Sequence, residues 1–160
     1  MLEIQRTTDT LATLRLGDDT PSRPVEAVVA PDLRLDVRWA ESEAEVREAQ
    51  RLRHRVFVGE MGARLTVPHG TPAGVDADRF DPFCEHLLVR AIAPGDDTGP
   101  VVGTYRLLTP SGAKRAGGGY TDTEFDLSSL AALRPRAVEL GRSCVHPDWR
   151  RGGVILLLWT

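Results

Sequence analysis

The chain has 160 residues, 41% hydrophobic and 27% charged, with a net charge of −3. That length fits one domain around one core, and the slight acidic excess excludes a general nucleic-acid binder, which carries a basic excess. No segment approaches the roughly 20 apolar residues that span a bilayer, and Cys84 and Cys144 lack the spacing of a disulfide framework or a zinc site, so a reduced cytoplasmic setting is expected.

Residues 1–30 mix short apolar patches with Thr, Asp, Gly and Pro without a sustained period, which predicts a flexible N-terminal extension ahead of a domain over 31–160. After Pro31 the run LRLDVRWA alternates as a half-buried strand does, with Leu33, Leu35 and Val37 on one face. Ser42 with Glu45 three residues on has the pattern of a capping box. Val46, Ala49, Leu52 and Val56 then recur at helical spacing to about Glu60, and Gly59 and Gly62 close the helix.

Residues 61–83 carry Gly, Pro, His and charged positions in irregular order and predict a long functional loop. HLLVRAIA from His86 and VVGTYRLLT from Val101 flank a PGDDTGP turn and predict a hairpin. Beyond it, GAKRAGGGY predicts a flexible stretch and TDTEFDLSSL a short helix capped by Thr121 or Thr123. RAVELGRSCV predicts a strand broken by Gly141, and VILLLWT a last helix.

Between Arg134 and Arg151 five arginines stand against Glu139 and Asp148, a local excess of three positive charges that suggests an anionic ligand or partner. The strand ending at Val145 runs through HPDWRRGGV into the last helix. Such a turn presents free backbone N–H groups at a helix N-terminus, where a phosphate is favoured. Gly152 and Gly153 allow close backbone approach, and Arg150 and Arg151 add charge up to Val154.

The run V-x-P-x-x-R-x-x-G resembles the acyl-donor loop of the GNAT acyltransferase superfamily, with Arg150 first and Gly153 as the central glycine. The resemblance implies an α/β (α+β) fold, a mixed, mostly antiparallel sheet flanked by helices, and a donor bound as coenzyme A or as a phosphopantetheine arm. Ile155 departs from the small residue of that pattern, which favours acyl carrier protein over free coenzyme A. AQRLRHRVFVGEMGA, DADRFD, CEHLLV, VVGTYRLL, EFDLSSL and ELGRSCVHPDWRRGGVI, in that order, are further similar to bacterial L-ornithine N-alpha-acyltransferases, which move a 3-hydroxyacyl chain from acyl carrier protein to ornithine in ornithine-lipid synthesis.

The related acyl-homoserine-lactone synthases fit the same positions: Arg53, Phe57, Asp78, Asp81, Arg106, Phe125, Glu139 and Arg142. They carry a Trp shortly after the helix Phe, where this chain has Glu60-Met61-Gly62-Ala63. What the resemblance implies is therefore an enzyme that binds substrate through Arg53, Phe57, Asp78, Asp81, Arg106 and Phe125, with Glu139 and Arg142 as catalytic residues. It also implies strands and a helix beyond those present, so the chain is expected to be C-terminally truncated.

Aminolysis of a thioester needs a base for the ammonium and donors for the oxyanion. Glu139 suits the first task, and backbone N–H groups of Ser143, Cys144 and Val145 the second. A bulge at Gly141 would bring Glu139 and Arg142 together. Cys144 is expected to pack rather than to react. Asp78 and Asp81 lack the spacing of a calcium loop, so no metal site is expected; they pair instead with Arg53, Arg106 or Arg142, or receive a cationic amino acid. No permanently bound cofactor is expected, and the expected partners are acyl carrier protein and ornithine, with peripheral membrane contact as a further expectation. Acetyl-coenzyme A-dependent N-acetylation, lactone synthesis and donor binding without turnover are the competing functions.

Overall fold

The computed structural model describes residues 32–159; the extension expected over 1–30 lies outside the described residues. Four strands form one antiparallel sheet in the order β1-β2-β3-β4: β1 is Arg34–Trp39, β2 Glu85–Ile92, β3 Val101–Leu108 and β4 Glu139–Val145. Helix α1 (Glu43–Arg53) starts where expected. Ser42 accepts a hydrogen bond from the Glu45 N–H at 3.3 Å, while Glu45 reaches back to the Glu41 N–H at 2.9 Å, one residue earlier than in a standard capping box.

The helical run does reach Glu60, but its last seven residues, His54–Glu60, are a π-helix, and Gly62 leaves it with φ +69°. Bonding to the fifth rather than the fourth residue widens the turn there. Arg53 points inward, and Phe57 faces open grooves on the surface.

Alternation along the strands divides the core between the two faces of the sheet. On one side Leu52, Val56 and Cys144 pack with Phe57 and Val101. On the other, Val154 and Leu158 pack with Leu87, Val89 and Val145. There Tyr105 stacks on Trp159 at 5.9 Å and takes Trp39 edge-on at 6.0 Å. Strand β1 is shallow: Val37 is exposed and Leu35 only half-buried, so the single buried face expected of it is not formed.

Three other expectations are corrected. GAKRA is not flexible; it lies in helix α2 (Pro110–Ala116), whose Thr109 cap accepts the Gly112 N–H, whose Pro110 fits the first turn, and whose left-handed Gly117 ends it. TDTEFDLSSL forms two separate 3-10 turns, Thr121–Thr123 and Ser128–Leu130, rather than one helix, and neither has a side-chain cap from Thr121 or Thr123. The last helix, α3, is a single turn, Val154–Leu157, preceded by a 3-10 turn at Pro147–Trp149.

Candidate active site

β4 is the edge of the described sheet, and its irregularity shapes the site. Thr104 pairs with Cys144 but Arg106 pairs with Gly141, so Arg142 and Ser143 together oppose Tyr105. The bulge therefore falls at Arg142–Ser143, not at Gly141. Among the described residues Arg142 alone, glycines aside, has a positive φ, +53°. An arginine in that region stores backbone strain that its surroundings must offset.

Two openings flank the bulge. A cleft of about 420 Å³ is lined by Phe57, Arg106, Tyr120, Glu139, Arg142 and Ser143 among others. A second groove of about 460 Å³ runs past Glu60, Val145, Arg150 and Ile155. Phe57 and Ser143 line both.

The His146 N–H bonds Val102 O at 2.8 Å, so the antiparallel alternation turns the polar groups of Cys144 toward β3 and those of Val145 outward. Val145 O confirms its direction by accepting Arg150 Nε at 3.2 Å. Of the three backbone donors expected, Val145 is thus turned to the groove and Cys144 is not. Burial pushes the Cys144 thiol up to about 12, which leaves it protonated and unreactive near neutral pH.

Behind the cleft lies a charged lattice. Arg53, 1% exposed, grips Asp81 with two bonds, Nη1–Oδ1 at 3.0 Å and Nη2–Oδ2 at 2.7 Å, and also donates to Asp76 O. Arg106 Nη1 donates to Asp78 at 2.7 Å and to Asp81 at 2.9 Å. Arg142 approaches Asp76 at 3.9 Å and Asp78 at 3.7 Å. Three guanidiniums thus meet three carboxylates.

Burial raises the Asp81 carboxyl, but hydrogen bonds and charge from Arg53, then the charge of Arg106, outweigh it and lower it to about 2. Burial works against the Arg106 charge too, yet the Asp78 and Asp81 carboxylates raise it above the ordinary arginine value. His86, buried beside Asp81, is lowered mainly by burial.

The pairing expected for Asp78 and Asp81 is therefore present. Arg53 and Asp81 (5% exposed) pair within this lattice, and neither they nor Phe125, 67% exposed, are among the residues that line the cleft. The structure therefore does not bring these three to the cleft wall. Phe57, Arg106, Glu139 and Arg142 do line the cleft, and Asp78 stands directly behind Arg142. Glu139 and Arg142 share the cleft without an ion pair among the described residues; Glu139 Oε1 instead accepts the Thr121 N–H at 2.9 Å.

The positive excess read along the chain is largely balanced in space. Arg134 pairs with Asp122, Arg142 with Asp76 and Asp78, and Arg150 with Glu60 at 2.7 Å. Arg151, Gly152 and Gly153 are exposed, and Val154 is buried under the sheet.

Two site residues were not singled out in the sequence. Tyr120 lies 5.5 Å from both the Arg106 and the Arg142 guanidinium. Asp76, 1% exposed, faces Arg53 and Arg142. The spacing of Asp76 from Asp78 in VDAD was the available signal for the latter; nothing local marked Tyr120.

Among the described residues no group of three His, Cys, Asp or Glu is placed to hold a metal ion, and no helix is long and apolar enough to cross a membrane.

A bulged edge strand that separates two grooves and leads through a turn into a helix defines the class. Residues 52–160 match the family described as "Acetyltransferase (GNAT) domain", and the chain belongs to that family. It is 44% identical over 135 residues to the L-ornithine N(alpha)-acyltransferase of Rhodobacter capsulatus, across 83% of this chain and 51% of that protein. To the protein of the same name from Brucella abortus it is 46% identical over 128 residues, across 78% and 45%. The chain spans about half the length of the curated relatives it matches. A solved structure of the AHL synthase LasI is a looser likeness, with TM-score 0.44 and 17% identity over 74% of this chain and 56% of that one, too distant to bear on function.

Proposed function

We propose that the protein is an N-acyltransferase that moves a 3-hydroxyacyl chain from the phosphopantetheine thioester of acyl carrier protein to the α-amine of L-ornithine, the first step of ornithine-lipid synthesis. The observation that carries this is the bulge at Arg142–Ser143, which sets a charged cleft suited to a small amino acid beside a groove where Val145 presents its outward backbone. The names of the relatives support the amine acceptor and the acyl group.

In the proposed reaction the α-ammonium loses a proton to Glu139, directly or through water. The neutral amine attacks the thioester carbonyl, a C–N bond forms, and the oxyanion is held by backbone N–H groups at Ser143 and Val145. The intermediate collapses as the C–S bond breaks. The second amine proton passes to the departing pantetheine thiolate, and the products are N-acylornithine and a free thiol. Arg142 offers the acceptor a cation, with the Asp78 carboxylate behind it. The exposed Ile155 and the pairing of Arg150 with Glu60 give a weak setting for a pyrophosphate, which favours a carrier-protein donor.

The test is product analysis with the intact protein, offering 3-hydroxyacyl carrier protein with ornithine or S-adenosylmethionine, and acetyl-coenzyme A with ornithine. N-acylornithine from the first mixture is expected. A lactone from the second, or an acetylated product from the third in preference, overturns the proposal.

A further inference from the structure

We propose that Tyr120 positions the Arg142 guanidinium as the anchor for the acceptor's carboxylate, an inference resting on the acyl-transfer function proposed above. Tyr120 sits in the segment GGGYTDT, which is pinned on both sides of it. Asp122 Oδ2 accepts the Gly119 N–H at 2.7 Å, and Glu139 Oε1 accepts the Thr121 N–H at 2.9 Å. Glu139 Oε2 lies so close to Gly119 that a Cβ there would meet it at 2.6 Å and push the Glu139 carboxylate aside.

So held, the Tyr120 ring packs edge-on to Phe80 at 5.7 Å and faces Arg142 at 5.5 Å, while Phe57 faces the same guanidinium at 5.7 Å. A cation placed against the faces of two rings is attracted by both quadrupoles. The contacts also restrain a residue whose backbone is in the left-handed region.

Arg142 differs from its neighbours in what its nitrogens do. Arg53 and Arg106 are locked by hydrogen bonds of 2.7–3.0 Å to Asp81 and Asp78. Arg142 stands 3.7 and 3.9 Å from its carboxylates, beyond hydrogen-bond reach. Its side chain is 24% exposed on the cleft wall. A planar guanidinium with donors in hand is the natural partner of a carboxylate, which it grips with two parallel bonds. An α-amino acid bound this way holds its α-amine within the same cleft as Glu139. Amines that lack the carboxylate are discriminated against.

The experiment is equilibrium binding by calorimetry, with ornithine and ornithinamide as probes of the intact protein and of Tyr120→Leu and Tyr120→Phe. Wild type and Tyr120→Phe are expected to prefer ornithine over the amide, and Tyr120→Leu to lose on the order of tenfold in ornithine affinity with the amide unchanged. Equal binding of the two probes by wild type, or a preference retained by Tyr120→Leu, overturns the inference. Independently of any variant, the Arg142 side-chain protons are expected to be shifted upfield by the two rings in the NMR spectrum of the free protein, and an unshifted position contradicts the geometry. A wild type that shows the binding pattern but transfers no acyl group refutes the proposed function alone.

Discussion

Arg142 meets three demands at once: its backbone makes the bulge, its side chain lines the cleft, and its charge faces the buried Asp76 and half-buried Asp78 carboxylates. Its importance was legible only through family resemblance, because neither the positive φ nor the aromatic partners can be read from RSCV. Glu139 was legible in the same way, whereas its bond to the Thr121 N–H was not. The neighbouring Cys144 tests the opposite case. Its thiol is pushed to about 12 by burial and its backbone is turned into the sheet, so Cys144→Ala is expected to keep the acyl-transfer rate within about threefold. A loss of a hundredfold, or an acyl group trapped on this cysteine, contradicts the packing role.

At the scale of elements, the sequence signals that worked were those whose cause is local. Ser42 and Glu45 cap α1 through neighbours three or four residues away, and Ser42→Ala is expected to cost about 1 kcal/mol by chemical denaturation. An unchanged midpoint argues against the cap. The hairpin of β2 and β3 was equally clear from two strand-like runs flanking a turn of Pro, Gly and Asp. The α2 helix shows how composition misleads: the glycines after Ala116 suggested flexibility, while Thr109, Pro110 and Gly117 already marked a start and a stop. The π-helix at His54–Glu60 had no such mark. Arg53 ends α1 and Phe57 lies in the π-helix, and the two serve different functions: Arg53 supports the lattice and Phe57 lines both openings.

For the molecule as a whole, the charged lattice ties the helix, the long loop and the sheet together, and it makes stability depend on acid in two stages. His86 has a folded value below the ordinary 6.5, so the unfolded chain takes up its proton first and stability falls as pH drops below about 6.5. Asp81 is lowered from 3.8 to about 2. Its contribution is present above 3.8 and is lost as pH falls through about 2, worth about 2 kcal/mol. Denaturant unfolding as a function of pH is expected to show both declines, with the first absent in His86→Gln; a flat profile from 7 to 5 contradicts the buried neutral histidine. Asp78 and Asp81 were recognisable as ion-pair partners in the sequence, yet which arginine each meets depends on how residues far apart in the chain are brought together. The central claim, that the β4 cleft carries acyl transfer with Glu139 as base, is tested most directly by the single-turnover rate of N-acylornithine formation by the intact protein and by Glu139→Gln, with donor binding measured alongside. A loss of about 10²- to 10⁴-fold with donor affinity unchanged is the predicted result, and a rate within about threefold of wild type contradicts it.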